Sequence, residues 1–280
     1  MTFHSNETRH VNHIHLKVSN LQRSLYFYQK ILGFRVVEQQ PMLAKLAAGG
    51  TRPMLTIEQV KNARSLDSSK TGLFHIAFLL PERADLAKVL RHFMHRGYPV
   101  QGASDHLVSE ALYIADPDGN GVEIYVDRDP AEWTWSGNEV EMSTLPLDAN
   151  ELMKEIAEDG WQGMPVGTVI GHIHLQVSDL ETAGDFYTKG FEFDIVNHFG
   201  SQALFISSAG YHHHIGLNIW NSKGGAVPAG DEVGLKSYII VIPENKRMET
   251  VERFQNIGVS VNLDGDKYFV IDPSGNQIYF

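Results

Sequence analysis

The 280-residue chain contains no cysteine, which excludes disulfides and thiolate ligands and leaves His, Asp and Glu as the side chains able to hold a metal. It has no uninterrupted apolar run approaching the roughly 18 residues of a membrane span. Its first residues, MTFHSNETRH, lack the charged-then-apolar order of a signal peptide. A cytoplasmic protein without a membrane partner is expected. Basic residues are few: 23 Lys and Arg against 34 Asp and Glu give a formal charge of −11, with no basic cluster to override it. Nucleic acid is therefore disfavoured as a partner. Histidine, by contrast, is abundant at 14 residues, in a chain whose 42% hydrophobic content suffices for globular cores.

One pattern occurs four times. In VNHIHLKVSNLQRSLYFYQKILGFRVV, from Val11, the residues His13, His15 and Lys17 alternate with Ile14, Leu16 and Val18, which is the period of a half-buried strand. Ser19-Asn20 then caps a helix with apolar residues at Leu21, Leu25, Tyr28 and Leu32, and Gly33 stops it. Strands over 44–48 and 53–58 follow. A second unit from Gly72 repeats strand, Pro-bounded turn, helix and Gly stop, and closes on DHLVSEALYIADPDGNGVEIY. The third, from Gly171, repeats the first at an offset of 159, and the fourth, from Gly234, repeats the second at an offset of 162. Its final DPSGNQIYF mirrors DPDGNGVEIY. Strand and helix alternating at a fixed period mark a duplicated fold. The expectation is an α+β chain of four βαβββ modules forming two tandem domains over 10–127 and 168–280. Residues 128–167, rich in Pro, Gly and Trp and carrying one short helix capped by Asp148 and Glu151, read as a connection held down by its tryptophans.

Strand alternation also places the chemistry. Glu123 faces away from Val122, Ile124 and Val126, so if that aliphatic row packs on a core the carboxylate points into a cavity, at a cost that calls for a cation. His13 and His15 face away from Ile14, Leu16 and Val18, and His75 faces away from Phe74, Ile76 and Phe78. Taken singly, each histidine is an ordinary structural residue. If units one and two pack face to face, however, two imidazoles and one carboxylate meet and leave about three positions of an octahedron open, as in non-haem Fe(II) sites. Another set follows Gly210-Tyr211, where alternation puts His212 and His214 on one face, the face of His172. A polar wall or a lost site accounts for them. A second metal, or a site shared between units two and three using His75, Glu123, His172 and His214, is the alternative, and the sequence does not choose the pairing.

The repeat resembles the vicinal oxygen chelate superfamily of glyoxalases, fosfomycin- and bleomycin-resistance proteins and extradiol ring-cleaving dioxygenases. The resemblance implies paired modules curled around a divalent metal, with ligands from the first strand of one module and the first and last strands of the next. Aligning His-x-x-Leu-x-Val assigns these to His13, His75 and Glu123. His106, five residues, Leu112-Tyr113, Asp116-Pro117-Asp118-Gly119 and Glu123 are similar to the extradiol motif, so the whole chain resembles type I extradiol dioxygenases, especially the catechol 2,3-dioxygenase-like branch from bacilli. That implies Fe(II), with Mn(II), Zn(II) or Ni(II) as other ions, a small aromatic diol and O2 as partners, and ring opening to a muconic semialdehyde-type product. His106 would stabilise negative charge or move a proton, and Tyr113 would hydrogen-bond a substrate oxygen. A homo-oligomer is compatible with all of this.

Two departures stand out. The C-terminal pair has Ser237 and Tyr279 where His and Glu belong, so the metal is expected in the N-terminal pair. The family's acid–base histidine has no counterpart around Pro53–Val60, which leaves His15 or His106. Two other activities compete. A glyoxalase-like isomerase or thiol transferase wants a fourth ligand, at Thr56 or Glu58. A non-catalytic binder of an aromatic drug needs no metal.

Overall fold

The computed structural model describes residues 3–156 and 160–280; residues 157–159 of the expected connection lie outside them. Unit one comprises β1 (His10–Val18), α1 (Leu21–Tyr26), β2 (Arg35–Gln40), β3 (Leu43–Ala47) and β4 (Leu55–Gln59). Unit two comprises β5 (Gly72–Leu79), α2 (Arg83–Arg96), β6 (Gly102–Asp105), β7 (Ser109–Ala115) and β8 (Gly121–Asp127). The connection adds β9 (Trp135–Ser136), β10 (Glu139–Val140), β11 (Leu145–Pro146) and α3 (Ala149–Met153). Unit three is β12 (Val169–Gln176), α4 (Leu180–Asp185), β13 (Asp194–Phe199), β14 (Ala203–Ser207) and β15 (Ile215–Asn218). Unit four is β16 (Gly234–Val241), α5 (Arg247–Asn256), β17 (Asn262–Asp264), β18 (Lys267–Ile271) and β19 (Gln277–Tyr279). These are four βαβββ modules, and within each the first and last strands pair in parallel. No described helix is long and apolar enough to cross a membrane.

The sheets depart from the expected pairing of neighbours. Unit one joins unit four in an eight-stranded sheet through antiparallel β1 and β16. Unit two joins unit three in a nine-stranded sheet through antiparallel β5 and β12, and β11 extends that sheet at β6. The boundaries 10–127 and 168–280 therefore cut across both sheets. Edge strands meet through backbone groups that all four units share, so the repeat pattern does not encode which edge finds which.

Side-chain alternation is as read from the sequence. Ile14 and Leu16 of β1, Ile76 and Phe78 of β5, Ile173 and Leu175 of β12, and Tyr238 and Ile240 of β16 join one core between the sheets. The polar rows consequently face outward, one into the concavity of each sheet. Units one and two, and units three and four, are tied outside the sheets instead. The Tyr28 hydroxyl donates to Asp116 at 3.1 Å, and Tyr187 repeats the bond to Asp272 at 2.8 Å.

The connection packs tightly onto unit one. Gly33, at φ 79°, touches Gly163 so closely that an added Cβ would lie 2.3 Å from its Cα. Both the left-handed backbone and the contact exclude a side chain. Gly33→Ala is expected to cost at least ~2 kcal/mol, read from the urea midpoint. Of the tryptophans, Trp133 is buried in a small cluster with Val108, Val140 and Tyr211, Trp161 packs partly buried on the main core, and Trp135 is exposed.

Candidate metal centre

Three side chains converge in the concavity of the nine-stranded sheet, here the inner sheet, the eight-stranded one being the outer. His75 comes from β5, Glu123 from β8 and His172 from β12. Parallel register sets Ala77 beside Glu123, and antiparallel register sets His172 opposite Ala77. The Glu123 Oε2 atom lies 3.0 Å from His75 Nε2 and 3.1 Å from His172 Nε2, and the two nitrogens are 3.3 Å apart. All three residues are buried. Among the described residues, this is the group of His and carboxylate side chains whose ligand atoms gather closely enough to hold a metal ion.

The donor chemistry fits a divalent ion. Burial alone would push Glu123 up, but the charge and hydrogen bond of His172, together with His75, hold it well below the usual carboxylate range. Burial lowers His172 to about 4 despite the attraction of Glu123, so its imidazole is neutral at pH 7. Without a metal, both imidazoles can satisfy Oε2 only by aiming N–H groups at one atom, with their positive ends side by side. Ligands ~2.1 Å from an ion and at right angles to one another are about 3.0 Å apart, close to the three separations found here.

His13 is not in this cluster. It occupies the matching place in the outer sheet, opposite Ile239 as His172 is opposite Ala77. Ser237 and Tyr279 stand there where His75 and Glu123 stand in the inner sheet. Both His13 nitrogens are hydrogen-bonded, Nε2 to the Thr56 hydroxyl at 2.9 Å and Nδ1 to the Pro53 carbonyl at 3.3 Å. His15, also in the outer sheet, faces Glu58 at 2.9 Å.

The cluster opens onto a cavity of about 220 Å³ walled by Phe74, Met142, Phe199, Phe205 and Trp220. His106 and Tyr113 share that wall. His106 Nδ1 donates to the Ser143 carbonyl at 2.7 Å, so in the neutral ring Nε2 accepts from the Tyr113 hydroxyl at 2.6 Å. Burial, and next the charge of Glu123, push the Tyr113 phenol well above its usual range and keep it protonated. The connection that reads as a linker supplies Met142, Ser143 and Thr144 to the same wall.

The second histidine set resolves differently from its alternation. His214 is fully buried and structural: Nδ1 accepts from the Ser208 amide at 3.3 Å, and Nε2 donates to the Phe3 carbonyl at 3.0 Å. His212 is also buried and faces Asp127. It is His213 that reaches the cavity, its ring centroid 4.1 Å from that of His172. Burial and the neighbouring histidines hold its pKa well below the ordinary value, so the ring is neutral. Alternation fails here because β15 begins only at Ile215, after a turn with positive φ at Ala209 and Gly210. The Ala-Gly pair was the available signal.

Residues 10–124 match the model of the Glyoxalase/Bleomycin resistance protein/Dioxygenase superfamily. The chain is 41% identical over 280 residues to the catechol-2,3-dioxygenase of Bacillus subtilis (strain 168), covering 98% of each. It is 28% identical over 175 residues to biphenyl-2,3-diol 1,2-dioxygenase 3 of Rhodococcus globerulus, covering 56% of this chain and 85% of that one. Its fold is similar to the crystal structure of glyoxalase I from Zea mays, with a TM-score of 0.56 at 15% identity over 97% of this chain and 92% of the other. The chain belongs to the glyoxalase/bleomycin resistance protein/dioxygenase superfamily.

Proposed function

We propose that the protein is an extradiol dioxygenase of the catechol 2,3 type, with Fe(II) held by His75, Glu123 and His172 on one face of the ion. The observation that carries this is a cluster of three buried ligands at the end of an apolar cavity whose wall also holds His106 and Tyr113. A bound divalent ion supplies a place where an aromatic diol and O2 meet, with charge drawn from the ring towards O2. The protein's own groups do the rest. The aromatic wall takes the flat ring and excludes water. Tyr113, kept protonated, can turn its hydroxyl hydrogen from His106 to a substrate oxygen, and His106, released by that turn, stabilises negative charge there or moves a proton. His213, neutral and beside His172 on the cavity wall, accepts a proton from the incoming diol.

The cavity supports a narrower substrate class. Space of ~150 Å³ takes a benzene ring, so about 220 Å³ suits a single-ring diol with a small substituent. No Lys or Arg lines it among the described residues, so a carboxylate on the ring would be buried unpaired. Oxygen uptake by the Fe(II)-loaded protein is expected with catechol and alkylcatechols, with kcat/KM at least ~10-fold lower for carboxylated catechols. Absence of uptake with every diol tested would overturn the assignment.

An isomerase with four protein ligands finds no support in the inner sheet. The place that Thr56 occupies beside His15 is taken there by Gly216 beside His174, and Glu58 lies in the outer sheet, bound to Lys236.

A further inference from the structure

Behind His213 runs a buried chain of hydrogen bonds that the metal cluster does not use. Asp127 Oδ1 lies 2.9 Å from His212 Nε2, and His212 Nδ1 lies 2.7 Å from His213 Nδ1. A carboxylate accepts, so in a neutral His212 ring the hydrogen is on Nε2 and Nδ1 is a lone pair. The 2.7 Å contact then requires His213 to carry its hydrogen on Nδ1. Its Nε2 is left as a lone pair, without a hydrogen-bonding partner among the described residues. Asp127 is itself held in place: the Tyr211 hydroxyl donates to the same Oδ1 at 3.1 Å and lies 2.7 Å from the Tyr125 hydroxyl. His212 is fully buried, with the Trp133 ring edge-on to it at 5.2 Å, so the series cannot easily turn.

We propose that Asp127 and His212 are positioning residues: acting in series, they fix His213 as the Nδ1–H tautomer and hold its ring on the cavity wall, so that Nε2 is the nitrogen presented to substrate. A ring free to exchange tautomers would spend part of its time offering an N–H where a base is needed. The inference rests on the dioxygenase assignment for its catalytic meaning, while the tautomer is a property of the chain alone.

Long-range ¹⁵N–¹H imidazole spectra of the full-length Zn(II)-loaded protein at fixed pH test the second part without any turnover. His212 protonated on Nε2 and His213 on Nδ1 is the expected result, and His213 protonated on Nε2 would overturn the proposal. With Fe(II) and catechol, Asp127→Asn, which can present an N–H to His212, is expected to lower kcat ~100-fold while KM stays within about threefold. Asp127→Glu should recover at least a tenth of the wild-type rate. An Asp127→Asn enzyme with kcat within threefold of wild type would also overturn it. If the wild-type protein consumes no diol, the dioxygenase assignment fails and the spectra still decide the tautomer.

Discussion

His172→Ala is expected to release the metal and abolish oxygen uptake, whereas His13→Ala leaves both intact. Each variant removes one imidazole from a first strand with the same local motif, and the difference lies in what surrounds it. His172 shares Oε2 of a buried Glu123 with His75. Removing it takes one of three ligands and leaves a carboxylate and an imidazole at a site with too few donors. Loss of a single supporting bond commonly costs ~10–100-fold in metal affinity, and loss of a ligand should exceed ~100-fold. His13 instead bridges Thr56 and Pro53 within its own unit, so its removal costs about two hydrogen bonds, ~1–3 kcal/mol of stability. Metal content of anaerobically purified variants by elemental analysis, with oxygen uptake alongside, separates the two. Metal retained at wild-type stoichiometry in His172→Ala would remove this residue from the ligand set.

The largest stability effect is expected at Asp116. Its Oδ1 accepts from the amides of Asp118 and Asn120, and its Oδ2 accepts from the Asn120 side chain and the Tyr28 hydroxyl, all between 2.9 and 3.1 Å. Burial raises its pKa, against the pull of the Asn120 and Asp118 bonds. Alanine would leave three buried donors and one part-buried donor unanswered and cut the tie between unit one and unit two. A loss of ~3–5 kcal/mol is expected, measured by urea denaturation, with Asp272→Ala similar because its bonds to Ser274, Asn276 and Tyr187 repeat the set. A drop below ~1 kcal/mol would show that the turn forms without its aspartate.

Much of this was legible in the residues. The four units, the outward polar rows and the isolation of Glu123 from its aliphatic neighbours all follow from the two-residue period of a strand, which is local. The choice between His13 and His172 was not, because both begin the same His-Ile-His-Leu and only strand pairing across the chain distinguishes them. Ser237 and Tyr279 offer neither imidazole nor carboxylate, but they stand in the sheet shared with His13 and not in one shared with His172. His213 is not legible from a strand period, because that period begins only at Ile215, after the turn at Ala209 and Gly210.

That pairing also orders assembly. Residues near Ile76 and Ile173, which join the inner sheet, emerge before unit four exists, whereas the outer sheet closes only when Tyr238 reaches Ile14. Until then β1 offers an open hydrogen-bonding edge, the kind of edge along which chains associate wrongly. The half that carries His75, Glu123 and His172 can thus be complete while the other still waits for its last strand. The sheet without that cluster is the one whose closure sets the longest contact distance in the chain, between β1 and β16.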